Sequence, residues 1–297
     1  MKNYKKTNNK EWKDVRDNFR FSHNQFVGSK FGKDHYYIDK PMIDQRFEVF
    51  KNNYDISRFN KKQTHEDLVC YSKSTVPDLF GKRVLVVGGG PTTSTVNWQM
   101  LDFDYKVASN NFVKNKNLYN TKFDMISLAP VVDFSNKNHL LHSYLDENKP
   151  IIGLEPEHAK PQEIKKLTNF LLEREDDCLI YTTKWASPIG IGSRQVVLSS
   201  LLGAKEVYLV GIDLFQPGTG GVHSYESFKE NPRWAQAYGQ RFQERHAVIF
   251  WDYLSLLEEQ LGTKFYNLAE EEELNLMSFA SSYFSPLPPE IKEIIKK

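Results

Sequence analysis

The sequence predicts an α/β protein built on a doubly wound parallel sheet, and three observations carry that reading. From residue 81 onward, short apolar runs alternate with segments of helical spacing. Several of these runs are apolar at consecutive positions, as in Val84-Leu85-Val86-Val87. That pattern suits strands covered by helices on both faces. The first run breaks into Gly88-Gly89-Gly90-Pro91-Thr92-Thr93, a tight turn that opens a helix.

The elements follow in order. After the glycine turn comes a second strand, Tyr105-Lys106-Val107-Ala108-Ser109, and then a third over residues 123–128. A helix is expected around 138–146, a strand over 150–154 and a helix over 161–174. Next come a strand at 178–182, a helix at about 192–202 and a strand at 206–211. A long amphipathic helix is expected over 234–261, and a last strand over 264–267. Ligands of such sheets lie beyond the carboxyl ends of the strands, where the strand order reverses. Those ends carry residues 88–90, 109–111, 128–130, 154–156 and 211–213. The list defines a site before any motif is invoked.

The chain of 297 residues divides by character near residue 80. Residues 1–80 hold 16 basic and 11 acidic side chains and only two glycines. They read as an aromatic-rich extension packed on the core, with helical spacing through Phe47, Phe50 and Tyr54. Residues 1–10 are too polar to order themselves. Residues 81–297 form the main domain, and the glycine-rich break at 214–245 reads as a lid inserted at the sheet edge.

Composition narrows the function. A formal charge of +1 gives no general attraction to nucleic acid. The two cysteines, Cys70 and Cys178, lack metal-ligand spacing and read as buried thiols in a reducing compartment. A cytoplasmic location is expected, since no secretory h-region opens the chain and no run of 18 apolar residues occurs. The dinucleotide fingerprint requires a third glycine and an acidic residue ending the second strand. Here those positions hold Thr93 and Asn110-Asn111, which argues against NAD and FAD. No Gly-Lys-Ser/Thr follows the glycines, so a P-loop is excluded. Asp102-Phe103-Asp104 mimics a metal-binding motif but precedes its strand, at the end away from the site. The glycine turn and the helix it opens are expected to present free N–H groups to an anion, with Thr92 and Thr93 as caps. A bound nucleotide is therefore expected.

Several motifs stand in a fixed order: Gly88-Gly89-Gly90-Pro91-Thr92, then Val107-Ala108-Ser109-Asn110-Asn111-Phe112. Leu202-Gly203-Ala204-Lys205-Glu206-Val207-Tyr208-Leu209-Val210-Gly211-Ile212-Asp213 follows. His246 then heads a helix leading to Lys264-Phe265-Tyr266-Asn267-Leu268. Through these motifs, residues 82–270 resemble the bacterial sialyltransferases of glycosyltransferase family 42. They also resemble the related superfamily of hydroxymethylpterin pyrophosphokinases and motility-associated glycosyltransferases. The resemblance implies a Rossmann-like sheet of a GT-A-like variant. It also implies transfer of a sugar from a nucleotide-activated donor to a glycan or other hydroxyl acceptor.

By that resemblance Gly88, Gly89, Gly90, Pro91, Thr92, Asn110, Pro130, Gly192 and Asp213 are nucleotide-binding candidates. His246 matches the general base, with His223 as its rival, and Tyr225 matches a lid tyrosine that steadies the leaving phosphate. A neutral-range pKa suits either histidine to the base role. The pattern departs in three places. Gly89 stands for an asparagine of the turn, Ala129-Pro130 for an Asn-Pro, and Phe215 for a second lid tyrosine. No tightly bound cofactor and no metal requirement are expected. A pyrophosphokinase-like enzyme and a non-catalytic nucleotide-binding protein remain the alternatives. Residues 287–297 read as a terminal helix, and peripheral contact with the inner face of a membrane and homo-oligomer formation stay open.

Overall fold

A computed structural model describes residues 47–65, 67–129, 132–135, 137–156, 161–183, 191–213, 250, 254–255, 257–269 and 285–296. Its centre is a nine-stranded sheet: β1 (Asn60–His65), β2 (Leu68–Ser72), β3 (Arg83–Val87), β4 (Tyr105–Ser109), β5 (Met125–Leu128), β6 (Ile151–Leu154), β7 (Cys178–Thr183), β8 (Glu206–Val210) and β9 (Lys264–Asn267). The spatial order is β1-β2-β7-β6-β5-β4-β3-β8-β9. Every neighbouring pair from β7 to β9 is parallel, whereas β1 and β2 join antiparallel at one edge. The chain winds outward from β3 to β7, then returns past β3 to lay down β8 and β9. The doubly wound parallel sheet expected from the sequence is present, and its direction reverses between β3 and β8.

The hairpin β1–β2 was not anticipated, because no strand was expected within residues 60–72. β1 is an edge strand exposed on both faces apart from the half-buried His65, so it lacks the alternation that betrays a half-buried strand. Its charged Lys61 and Lys62 blunt the edge against further pairing.

Helices cover both faces. On one face lie α1 (Thr92–Thr95), α2 (Lys116–Tyr119), α3 (His139–Asn148) and α4 (Pro161–Arg174). Leu141, Tyr144, Ile164, Leu167 and Phe170 of α3 and α4 pack there on Ile126, Ile152 and Ile180. The terminal helix α6 (Pro289–Ile295) adds Ile291 to the same core. On the other face α5 (Ile191–Leu201) lies between the sheet and a helical stretch carrying Phe250, Leu254 and Leu257. Only those parts of the expected helix at 234–261 are described. Being covered on both sides, α5 is buried at every position except the half-exposed Gly192. The β4, α4 and β9 boundaries match those expected from the sequence, and most other matched elements move by one or two residues.

Of the aromatic residues before β1, Phe47 and Phe50 lie on a short helix as their spacing predicted, and Tyr54 lies past its end. Residues 47–51 are helical, and Phe47, Phe50, Tyr54 and Phe59 are buried in the core. Cys70 and Cys178 are buried free thiols. Burial pushes the Cys70 thiol up to about 12 and raises Cys178 as well, so neither is a reactive thiolate. Among the described residues, no helix is long and apolar enough to cross a membrane.

Candidate active site at the strand-order reversal

The carboxyl ends of β3 and β8 are joined into one unit by hydrogen bonds. Gly88 N–H donates to the Val210 carbonyl at 2.8 Å, and Gly90 N–H to the Gly211 carbonyl at 2.7 Å. Gly211 N–H donates back to Thr92 Oγ1 at 3.0 Å. Thr92 in turn gives its own N–H to Asp213 Oδ2 at 2.8 Å and its hydroxyl to Asp213 Oδ1 at 2.7 Å. Thr93 Oγ1 donates to the Gly88 carbonyl at 2.9 Å, closing the turn from within.

This closeness explains the glycines. A Cβ on Gly88 would lie 2.2 Å from the Gly211 carbonyl oxygen, and one on Gly90 would lie 2.5 Å from Asp213 Oδ2. Gly211 adopts φ +66°, and its Cβ would fall 1.8 Å from Thr93 Oγ1. Two backbones therefore touch where side chains would stand, and only hydrogen atoms fit. Gly89 is the partly exposed member of the triplet.

The expected anion seat changes accordingly. α1 is only four residues long, and Pro91 stands at its N-cap with no side-chain cap bond. The Thr92 N–H is not free, because the Asp213 carboxylate occupies it. A negative charge from the end of β8 thus fills the place that the sequence reading left for a ligand phosphate.

A second helix N-terminus reaches the same point. α5 descends from the carboxyl edge, and a Cβ on Gly192 would lie 3.8 Å from Gly88 Cα and 3.2 Å from Ile212 Cγ1. No acidic residue stands in its first turn. Its dipole therefore presents positive potential to the edge that α1 has closed.

Asn110 follows β4 at φ +52°, a left-handed conformation that asparagine tolerates better than most residues. Its N–H donates to the Ser127 carbonyl, and its Oδ1 accepts from Ala129 N–H, both at 2.9 Å. The side chain thus spans the ends of β4 and β5. Nδ2 makes no hydrogen bond among the described residues and stays available at a half-buried position.

Gly88, Gly89, Gly90, Pro91, Thr92, Gly192 and Asp213 are therefore brought together at the β3–β8 junction, with Asn110 on the neighbouring strand end. Pro130, His223, Tyr225 and His246 lie outside the described residues, as does the insertion at 214–245. Asp104 is occupied at the opposite edge, where Oδ2 accepts the Arg83 N–H at 2.8 Å. Among the described residues no group of three His, Cys, Asp or Glu side chains is placed to hold a metal ion.

One feature escaped the sequence reading. Beneath the edge, on the α5 face, Arg194 is paired with Glu155, and both are buried. Ser127 Oγ and both carboxamide atoms of Gln195 are also buried without a partner among the described residues. Ser193-Arg194-Gln195 inside an apolar helix was the available signal, together with Glu155 at a strand end.

No family model matches the chain, and no curated protein does. Among solved structures it is similar to the sialyltransferase CstII from Campylobacter jejuni in complex with CMP-3FNeuAc. Identity is 16%, 70% of this chain and 87% of that one are covered, and the TM-score is 0.45. It is also similar to the monofunctional alpha-2,3-sialyltransferase Cst-I from the same organism. There the identity is 16%, coverage is 73% and 84%, and the TM-score is 0.48.

Proposed function

We propose that this chain is a glycosyltransferase that moves a sugar from a nucleotide-activated donor to a hydroxyl acceptor. The observation that carries the reading is the β3–β8 junction. It is a strand-order reversal floored by closely apposed glycines, faced by the N-terminus of α5 and flanked by the Asn110 carboxamide. Reversals of this kind are where α/β sheets take nucleotides. The order of motifs across residues 82–270 supports a sialyltransferase-like donor, with CMP-activated sugars first among those to test.

The chemistry follows from the roles the motifs imply. A histidine, His246 or His223, takes the proton of the acceptor hydroxyl as that oxygen bonds to the anomeric carbon. The bond from that carbon to the donor phosphate breaks, and the phosphate leaves with the electron pair. The α5 N-terminus, Asn110 Nδ2 and Tyr225 oppose the charge developing on it. Pyrophosphoryl transfer is the weaker reading, since it calls for carboxylates free to hold a metal near the glycine turn. The one described there, Asp213, is committed to Thr92.

Turnover of a panel of sugar nucleotides by wild type, His246→Ala and His223→Ala tests the proposal. Hydrolysis or transfer by wild type, with a loss of about 10²-fold or more in one histidine variant, is expected. Equal activity in both variants removes the histidine base. A wild-type protein that binds no nucleotide removes the function.

A further inference from the structure

We propose that the buried Arg194–Glu155 pair, with Gln195 beside it, positions the first turn of α5 against the glycine turn and so sets nucleotide affinity. The inference rests on the function proposed above, but its residues lie outside every motif that led there. Glu155 directly follows β6, and Arg194 sits in the first turn of α5, about half a turn from the Gly192 that abuts Gly88. The pair therefore joins the carboxyl end of a strand to the helix end that faces the ligand.

The helix geometry supports this. Successive residues turn by about 100° around the axis. Gly192 faces the β3–β8 junction, and Ser200 hydrogen-bonds Thr263 at 2.9 Å just before β9. Arg194 faces the other way, toward β6. Gln195 then falls between the Gly192 and Arg194 directions, on the side away from the Ser200–Thr263 bond, and points at the sheet. The two polar residues occupy the side of α5 that settles how far the helix sits along the sheet. Below them Val196, Val197, Leu198 and Leu201 make apolar contacts, which tolerate sliding better than a fixed ion pair.

Burial of the pair is poor evidence for a stabilising role. Taking two charges from water offsets most of their attraction, and apolar replacements of similar size are often neutral or better. What the pair supplies is one fixed geometry. Displacement of a positioned group by about 1 Å can cost on the order of 10²-fold in function.

That separation of stability from position provides the test. The double variant Glu155→Leu/Arg194→Met replaces both charges by apolar groups. Thermal midpoint, hydrogen exchange of the amides at residues 195–198, which bond to the carbonyls of the first turn, and affinity for CMP, UDP and GDP are measured on the full chain. We expect a midpoint at or above wild type, about tenfold faster exchange confined to that turn, and a rise of about tenfold in Kd for the nucleotide that wild type binds. Wild-type affinity in the double variant overturns the inference, as does unchanged exchange. If the double variant does not fold, Arg194→Lys decides, because it keeps the charge and loses the planar fork. Weaker nucleotide binding with wild-type global exchange supports positioning, and wild-type binding overturns it. Failure of wild type to bind any of the three overturns the proposed function and this inference together. Tight wild-type binding with an indifferent variant overturns this inference alone.

Discussion

The two ends of the sheet are held together by different means. At the carboxyl end, β3 and β8 are joined mostly through backbone, with Gly88, Gly90 and Gly211 in direct apposition and Thr92 and Asp213 as the side-chain link. At the amino end of β7, the joint is built from side chains. Glu175 accepts the Tyr54 hydroxyl at 2.5 Å and is paired with Arg58 and Lys73. Arg58 also lies over the Tyr54 ring and Lys73 over Phe59, so charge and aromatic packing share one cluster. This hub ties residues 54–73 to the segment between α4 and β7. The contrast is one of tolerance. A backbone joint admits no added atom, whereas a side-chain joint loses one partner at a time.

The largest effect is therefore expected from Gly211→Ala. The new methyl meets Thr93 Oγ1 and the Gly88 carbonyl, and φ +66° is strained for any Cβ. A loss of about 3–5 kcal/mol is expected, read from the denaturant midpoint. A variant within 1 kcal/mol of wild type would show that the edge can open. Glu175→Gln is expected to cost about 2 kcal/mol at pH 7, through the loss of its charged partners. The sign with pH follows from its carboxyl. Burial pushes that group up, but Lys73, Tyr54 and Arg58 outweigh it and hold the pKa below the usual range. A lowered folded value adds stability above the unfolded pKa of about 4.3, and that stability disappears as pH falls through the folded value. The gap between wild type and Glu175→Gln should therefore close in acid. A gap independent of pH would assign the hub to packing instead.

The same contrast explains what the sequence could show. A backbone joint needs glycine at set places in adjacent elements, so Gly88, Gly90 and Gly211 were visible as strand-end residues. The parallel strands were legible for a related reason, since burial on both faces leaves unbroken apolar runs such as Val84-Leu85-Val86-Val87. The hub was not legible, because Tyr54, Arg58, Lys73 and Glu175 meet only after more than a hundred residues have folded between the first and last. Polar residues scattered so widely look like solvated surface. Strand β1 was missed for want of any buried position. The occupant of the α1 N-terminus was misjudged because one helix end reads as an open anion seat in sequence. Only the fold brings the carboxylate of Asp213 to it.

Two variants sharpen the comparison at intermediate size. Asp213→Ala leaves the Thr92 N–H and hydroxyl without their acceptor in a buried place, at a cost of about 1–3 kcal/mol. Asp213→Asn retains an acceptor and should fall near the lower end. Equal losses would mean that charge, not hydrogen bonding, is what the turn requires. At Asn110 the usual order of substitutions should reverse. Asn110→Gly loses the bond to Ala129 N–H but keeps φ +52° without strain, for about 1 kcal/mol. Asn110→Ala loses the same bond and adds strain of about 1 kcal/mol more. Thermal midpoints that rank alanine above glycine would remove the left-handed conformation as the reason for asparagine there.

The smallest structural effect is expected at the residue between the crowded glycines. Gly89 is partly exposed where Gly88 and Gly90 are buried, and its φ is not among the positive values. Gly89→Ala should therefore change stability by no more than about 0.5 kcal/mol, while Gly88→Ala, which drives a methyl into the Gly211 carbonyl, should lose about 2–3 kcal/mol. Nucleotide affinity is the second measurement on the same pair. A methyl at the partly exposed position 89 is expected to weaken binding about tenfold with folding intact. Gly88→Ala should weaken both together. If Gly89→Ala binds nucleotide as wild type does, the ligand approaches from the α5 side alone, and the glycine turn serves only to let β3 and β8 touch.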